Sequence, residues 1–137
     1  MVEGKQHLAR SGEAHMWLLS WSALVMFALL VMSAALYGLT ASGHFPSEHR
    51  AEALRSTGGA AILWGTMALA LATAIVGLAL AWSVLPWTWA VIVGGAVLLM
   101  APLVLQLFPD SFVDGRAGLL VFAGIGGVLS LAVLAYA

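Results

Sequence analysis

The sequence of 137 residues contains no cysteine and very little charge. The absence of cysteine excludes disulfide bridges, thiolate metal sites and cysteine nucleophiles. Only 8% of the residues are charged, whereas a typical soluble domain carries about 25%. So few charged side chains cannot cover a soluble protein of this length, and lipid must be the main solvent. The net charge of −1 gives no electrostatic basis for binding nucleic acid.

The charge-free stretches predict the membrane-spanning segments. One stretch lies between Glu13 and Glu48, and the next, from Ser56 to Pro109, is long enough for two helices of roughly 20 residues. Pro86 breaks this second stretch, and a third begins after Arg116. The predicted fold is therefore an all-α integral membrane protein, a four-transmembrane-helix bundle that forms a single membrane domain over residues 1–137. Its helices are expected near residues 15–41, 57–83, 87–108 and 115–136.

The tryptophans support this order of helices. Tryptophan prefers the membrane interface, and an even number of spans places both termini on one side together with the turn around Pro86. Five of the six tryptophans fall on that side, namely Trp17, Trp21, Trp82, Trp87 and Trp89. Lysines and arginines do not decide the orientation, since they occur on both sides. We expect cytoplasmic termini in a bacterial cytoplasmic (inner) membrane, because this topology needs no translocation of the N-terminus. The first apolar run is too long for a cleaved signal peptide, and we expect it to remain in the mature protein.

The most charged stretch of the chain, HFPSEHRAEALRST at residues 44–57, connects the first two spans. Pro46 followed by Ser47 is typical of a helix start. From Ser47 to Arg55 the pattern predicts a short interfacial helix between helices 1 and 2, with its charges facing water.

Three residues of this connector are of types that bind metals: His44, Glu48 and His49. On a helix, Glu48 and His49 would point about 100° apart, which is poor for a compact site. The sequence therefore favours a solvated connector without a metal, with docking against a partner subunit as the remaining alternative. An enzyme with interfacial chemistry at these three side chains is a lesser hypothesis. Since no ionisable side chain lies in the middle of a span, we predict no cofactor within the chain and no catalysis by the chain alone.

Small residues line one face of the second predicted span, at Thr66, Ala70, Thr73, Ala74, Gly77 and Ala81. Small residues let helix backbones approach closely in lipid. We predict that Thr73, Gly77 and Ala81, with Ala123 and Gly127 of the fourth span, contact other helices of this chain or of a partner. The alternative is that these spacings have no role, because a chain rich in alanine and glycine shows them often by composition alone.

The third predicted span contains a proline four residues before its most polar side chain. Pro102 frees the carbonyl group of Leu98 and favours a kink, beside the amide of Gln106. A kink there would line a small pocket for a lipid or a quinone. The alternative places Gln106 at the headgroup boundary.

Two classes of function remain. The first is a non-catalytic integral membrane subunit that packs within a larger membrane complex, and a respiratory or photosynthetic electron-transfer assembly is one setting. It fits the small-residue faces and the spans without ionisable groups. The alternative is a homo-oligomeric small channel or transporter, which would need a polar path, and the spans offer only scattered serine, threonine and glutamine. The expected partners are the lipid bilayer and other membrane helices, by association with other subunits or with itself.

Overall fold

The described part of the chain, residues 2–42 and 57–136 of a computed structural model, is helical and contains no strand. Its helices are α1 (Val2–Ser42), α2 (Thr57–Val84), α3 (Trp87–Leu105), α4 (Asp110–Val113) and α5 (Arg116–Tyr136). All except α4 are long and apolar enough to cross a bilayer. The prediction of an all-α protein with four such helices is therefore confirmed. The predicted interfacial helix at residues 47–55 lies outside the described residues.

Two helix ends differ from the sequence-based boundaries. α1 begins at Val2 rather than near residue 15, and its 41 residues extend about 62 Å. The hydrocarbon layer of a bilayer is about 30 Å thick, so the exposed N-terminal part of α1 exceeds what a span requires. Charged residues show where the lipid-embedded part of a helix can begin, but they do not end the helix. Lysine, arginine, glutamine and glutamate are good helix formers, and no proline interrupts α1. α3 ends at Leu105 rather than near residue 108, because the residue before Pro109 is disfavoured in a helix.

Among the four long helices, α1 packs extensively against each of the other three. It packs against α2, α3 and α5, and α2 also packs against α5, whereas α2 and α3 scarcely touch each other. Three helices, α1, α2 and α5, thus form a core that we call the three-helix core. α3 lies beside it, held mainly by α1.

The buried side chains form two groups. The larger group joins the three-helix core to Ala101 of α3, and its buried members are Leu36, Tyr37, Ala41, Leu63, Ala70, Ala101, Leu119, Phe122 and Ala123. The smaller group surrounds the turn between α2 and α3, and consists of Phe27, Ala81, Leu85 and Ala90. In α3, Ala90 and Ala101 are the buried residues, so most of this helix has little cover from the described part of the chain.

Candidate functional site

The small-residue face of α2 points into the three-helix core. Its buried small residues are Thr66, Ala70, Thr73, Gly77 and Ala81, with Gly59 at the start of the helix. Thr73 and Ala81 are 1% and 2% exposed. Ala74, which the spacing assigned to the same face, is exposed. This face is therefore covered by α1 and α5 of the same chain and is not free for a partner.

The tightest contact of the three helices is at Gly126. A Cβ atom at this position would lie 2.9 Å from both Cγ2 and Oγ1 of Thr73, and 3.1 Å from Oγ of Ser33. Such distances are too short for a side chain, so only glycine fits unless a neighbour moves. Gly126 thus lets α5 contact α1 and α2 at one level.

The other predicted packing positions also contact helices of this chain. A Cβ atom at Gly77 would lie 3.5 Å from Cβ of Leu30 on α1. Ala123 is 2% exposed in the larger buried group. Gly127 is half-buried, and its Cβ would lie 3.2 Å from a methyl carbon of Leu69 on α2. These positions account for contacts inside the chain before any partner is considered.

The hydroxyl groups around Gly126 bond within their own helices. Ser33, Thr73 and Ser130 each donate to a carbonyl oxygen three or four residues earlier, at 2.9, 3.0 and 2.8 Å. Serine and threonine in membrane helices commonly satisfy themselves in this way. These three hydroxyls therefore do not donate hydrogen bonds to one another, as a continuous polar path between helices would require.

One hydrogen-bonded group links α1 to α2. The hydroxyl oxygen of Tyr37 lies 3.0 Å from Oγ1 of Thr66, and the Tyr37 hydroxyl donates to the carbonyl oxygen of Leu63 at 3.3 Å. Thr66 in turn donates to the carbonyl oxygen of Ile62 at 2.7 Å. The sequence alone did not identify the partners of the Tyr37 hydroxyl. A phenol within an apolar span is itself a signal, because its hydroxyl needs a partner when buried.

The C-terminal end of α1, the short helix α4 and the start of α5 meet at Gly118. A Cβ atom at Gly118 would lie 2.7 Å from the carbonyl oxygen of Phe112 and 3.2 Å from Cγ2 of Thr40. Thr40 is 3% exposed, and its hydroxyl has no hydrogen-bond partner among the described residues. Gly118 was missed from the sequence, because it belongs to no repeat of small residues and follows a short helix that the sequence did not predict.

Pro102 and Gln106, the residues of the predicted lipid or quinone pocket, line a shallow depression of about 290 Å³. Both are exposed. The backbone N–H of Gln106 donates to the carbonyl oxygen of Pro102 at 3.2 Å, where α3 ends. Asp110 also lines the depression, so this site combines apolar walls with a carboxylate and an amide.

Within residues 2–42 and 57–136, no three His, Asp or Glu side chains come together as a group that could hold a metal. The sequence-based metal candidates His44, Glu48 and His49 lie outside these ranges. Every buried polar side chain that the structure describes carries a hydroxyl, as at Ser33, Thr40, Thr66, Thr73, Ser130 and Tyr37. None of these is a carboxylate or an imidazole that would exchange protons near neutral pH.

The tryptophans gather where the turn between α2 and α3 meets α1. One cavity of about 260 Å³ is lined by Trp17, Ser20, Trp21, Leu24, Leu85, Pro86 and Trp89, and we call it the tryptophan cavity. Trp82 and Trp87 flank the same turn, with ring centroids 6.2 Å apart in an edge-to-face arrangement. Five tryptophans therefore lie at one end of the helices.

A second opening lies between α2 and α3. It is a cleft of about 350 Å³ with α1 as its floor, lined by Leu30, Val31, Ala34, Ala35, Thr73, Ala74, Gly77, Leu78 and Leu98. The cleft exists because these two helices each pack on α1 but scarcely touch each other. We call it the α2–α3 cleft.

No protein family model, no curated protein and no solved structure matches this chain. The described helices form a closely packed core in which Ser33, Thr73 and Ser130 bond within their own helices. They also leave one helix with little cover and two apolar openings.

Proposed function

We propose that the protein is a non-catalytic integral membrane subunit that packs within a larger membrane complex. The main observation behind this proposal is that the other described helices cover little of the surface of α3. Of its 19 residues, Ala90 and Ala101 are buried, whereas Leu99 and Leu103 are 80% and 60% exposed. A span with this much free surface, beside an apolar cleft, is suited to contact other membrane helices.

The core supports a structural role over transport. Close helix contacts at Gly126 and the locally bonded hydroxyls of Ser33, Thr73 and Ser130 favour a rigid scaffold. Carriers and channels place charged or polar groups along their pathway, and the described core contains none that are charged. Electron-transfer assemblies, respiratory or photosynthetic, are the complexes to examine first, with any redox cofactors held by other subunits.

The proposed arrangement in the membrane is a four-helix bundle with both termini on one face. The five tryptophans at one end of the helices support this arrangement, since tryptophan is enriched at the membrane interface. The exposed first turns of α1, which contain Glu3, Lys5, Arg10 and Glu13, then extend into water. We place this face in the cytoplasm of a bacterium, and the 44–57 connector, as an interfacial helix, on the other face of the inner membrane.

Site-specific crosslinking from α3 tests the proposal. A photo-crosslinking residue replaces Leu99, which is 80% exposed on α3, or Leu134, which is 61% exposed on α5 and serves as the control. The full-length protein is irradiated in its native membrane. We expect a defined set of other membrane proteins to be captured from position 99 and much less from position 134.

Native mass analysis of the gently solubilised protein gives an independent result. A complex with a fixed set of other subunits is expected. A stable homo-oligomer, with crosslinks only between copies of this chain, would instead favour the homo-oligomeric channel or transporter. A monomer that captures only lipid from position 99 would overturn the subunit proposal.

A further inference from the structure

The tryptophan cavity contains an unusual concentration of indole rings. Trp17, Trp21 and Trp89 come from two helices that are distant in sequence, and they line one cavity of about 260 Å³. The other described residues of the lining are aliphatic or proline, apart from the hydroxyl of Ser20, and none of these is charged. We infer that this cavity binds a trimethylammonium group, and that the group is the choline headgroup of a phosphatidylcholine lipid.

The first argument concerns the chemistry of the lining. The face of an indole ring attracts a cation more strongly than that of any other side chain, and quaternary ammonium groups are recognised by cages of aromatic rings. A trimethylammonium group has no N–H donor, so it requires no hydrogen-bond acceptor from the cavity. A primary ammonium group, as in phosphatidylethanolamine, is more strongly hydrated and gives up more hydration against the same apolar walls.

The second argument is the charge beside the cavity. Glu13 precedes Trp17 by four residues on α1, which places it one turn further out on the same helical face. Its exposed carboxylate favours a cation near the tryptophans and disfavours an anionic group. The charge next to the tryptophans on this face is therefore negative, which suits the quaternary ammonium of a choline headgroup.

The third argument is the position of the cavity. It lies at the end of the helices where five tryptophans gather, and tryptophan rings sit at the level of lipid headgroups. Headgroups reach this level, whereas the ends of acyl chains lie deeper in the bilayer. The same chemistry could be supplied by free choline from solution, but the acyl chains of a lipid hold its headgroup at this depth. This inference is independent of whether α3 contacts other subunits.

The test measures which lipids the full-length protein retains. Purified protein is equilibrated with equal amounts of phosphatidylcholine, phosphatidylethanolamine and phosphatidylglycerol of identical acyl chains, and bound lipid is counted by native mass spectrometry. We expect phosphatidylcholine to be retained about fivefold over each of the others, which is within the range of cation–π attraction. Equal retention of the three lipids would show an apolar gap without headgroup recognition and would overturn the inference.

Matched variants locate the binding. Trp89→Leu and Trp17→Leu should each lower phosphatidylcholine retention about fivefold, and Trp89→Phe should recover part of it. Trp82→Leu is the control, because Trp82 is at the same end and 80% exposed but does not line the cavity. An unchanged helix signal by circular dichroism shows that each variant is folded. If Trp82→Leu lowered retention as much as Trp89→Leu, the cavity would not be the site.

Two further variants test the contribution of the Glu13 carboxylate. One soluble competitor tests whether the bound choline belongs to a lipid or is free. Glu13→Gln should weaken retention of phosphatidylcholine about twofold to threefold, as expected for loss of an exposed ion pair, whereas Glu3→Gln, ten residues further out, should not. Added choline chloride at millimolar concentration is the competitor. If choline bound tightly while the three lipids were retained equally, the assignment to a lipid headgroup would be wrong.

Discussion

The consecutive helices α2 and α3 are both strongly apolar, yet the protein uses them in different ways. α2 buries seven residues, most of them small, against α1 and α5, whereas α3 buries Ala90 and Ala101 and packs mainly on α1. In lipid, hydrophobicity does not decide which surface is buried, because lipid tails are as apolar as leucine. The buried surface is the one that lets helix backbones approach closely. α2 has small residues at repeated spacings of three and four, whereas α3 has large residues on most sides.

The difference between α2 and α3 also distinguishes residues that stabilise this chain from residues available for contact with other subunits. Substitutions in the three-helix core should change the free energy of unfolding, whereas substitutions on the uncovered surface of α3 should leave the isolated protein intact. The first of four pairs of variants tests this difference directly, and the other three, in order of decreasing effect, compare close contacts of the core with matched controls. Each pair is measured by unfolding in mixed micelles, with circular dichroism as the signal.

The largest effect is expected at the contact of the three helices. Gly126→Leu inserts a side chain where even a Cβ would lie 2.9 Å from Thr73, and should lower the free energy of unfolding by about 3 kcal/mol. Gly95→Leu is the matched change on α3, where nothing lies within 4 Å of an added Cβ. We expect it to change the free energy of unfolding by less than about 0.5 kcal/mol. Equal losses from both variants would show that α3 is as tightly packed as the core.

A smaller loss is expected at the contact of α2 with α1. Gly77→Leu must displace Leu30, whose Cβ would lie 3.5 Å from the new Cβ, and should cost about 2 kcal/mol. Gly77→Ala adds only an atom at ordinary contact distance, so it should be neutral or slightly stabilising. Limited proteolysis of the Gly77→Leu protein should cut the chain more readily than in the wild type. A Gly77→Leu protein as resistant as the wild type would mean that α2 packs by another face.

The contact between α4 and α5 should be less costly to disturb, since α4 is a short helix that can shift. Gly118→Ala brings a methyl group to 2.7 Å from the carbonyl oxygen of Phe112, and we expect a loss of about 1 kcal/mol. Gly38→Ala on α1 is the control, because it is exposed and its Cβ would meet nothing within 4 Å. The prediction fails if both variants are equally stabilised by the better helix propensity of alanine.

The smallest effect concerns the phenol between α1 and α2. Tyr37→Phe removes the contact to Thr66 at 3.0 Å and the bond to the carbonyl oxygen of Leu63 at 3.3 Å. Since Thr66 keeps its own bond to Ile62, the expected loss is about 0.6 kcal/mol, the mean for hydrogen bonds between membrane helices. Tyr136→Phe, at a position 91% exposed, should have no measurable effect. A loss well above 1.7 kcal/mol would mean that this hydroxyl has a larger role than joining two helices.

Several features of the fold could be predicted from the sequence because they depend on local composition. The absence of charge over long stretches marks four apolar helices, and Pro86 marks the break between α2 and α3. The period of small residues on α2 identifies a face that contains Thr73 and Gly77. The spacing of the tryptophans along the chain also suggests that they share one end of the molecule.

What the sequence could not determine is which surfaces meet. Spacing assigned Ala74 to the small-residue face, but it is exposed and lines the α2–α3 cleft. Gly118 and Tyr37 gain their roles only through residues on other helices. The shape of the tryptophan cavity likewise depends on how α1 meets the turn before α3.

Helix formation and an apolar character sufficient for a membrane are properties of each segment, so both could be predicted from the order of the residues. The contacts of α1 with α2, α3 and α5, the small cover of α3 and the three tryptophans around one cavity became known from the packing of the helices. Such packing in lipid depends on close contact between side chains. Which side chains come into contact depends on the rotation and tilt of every helix relative to its neighbours.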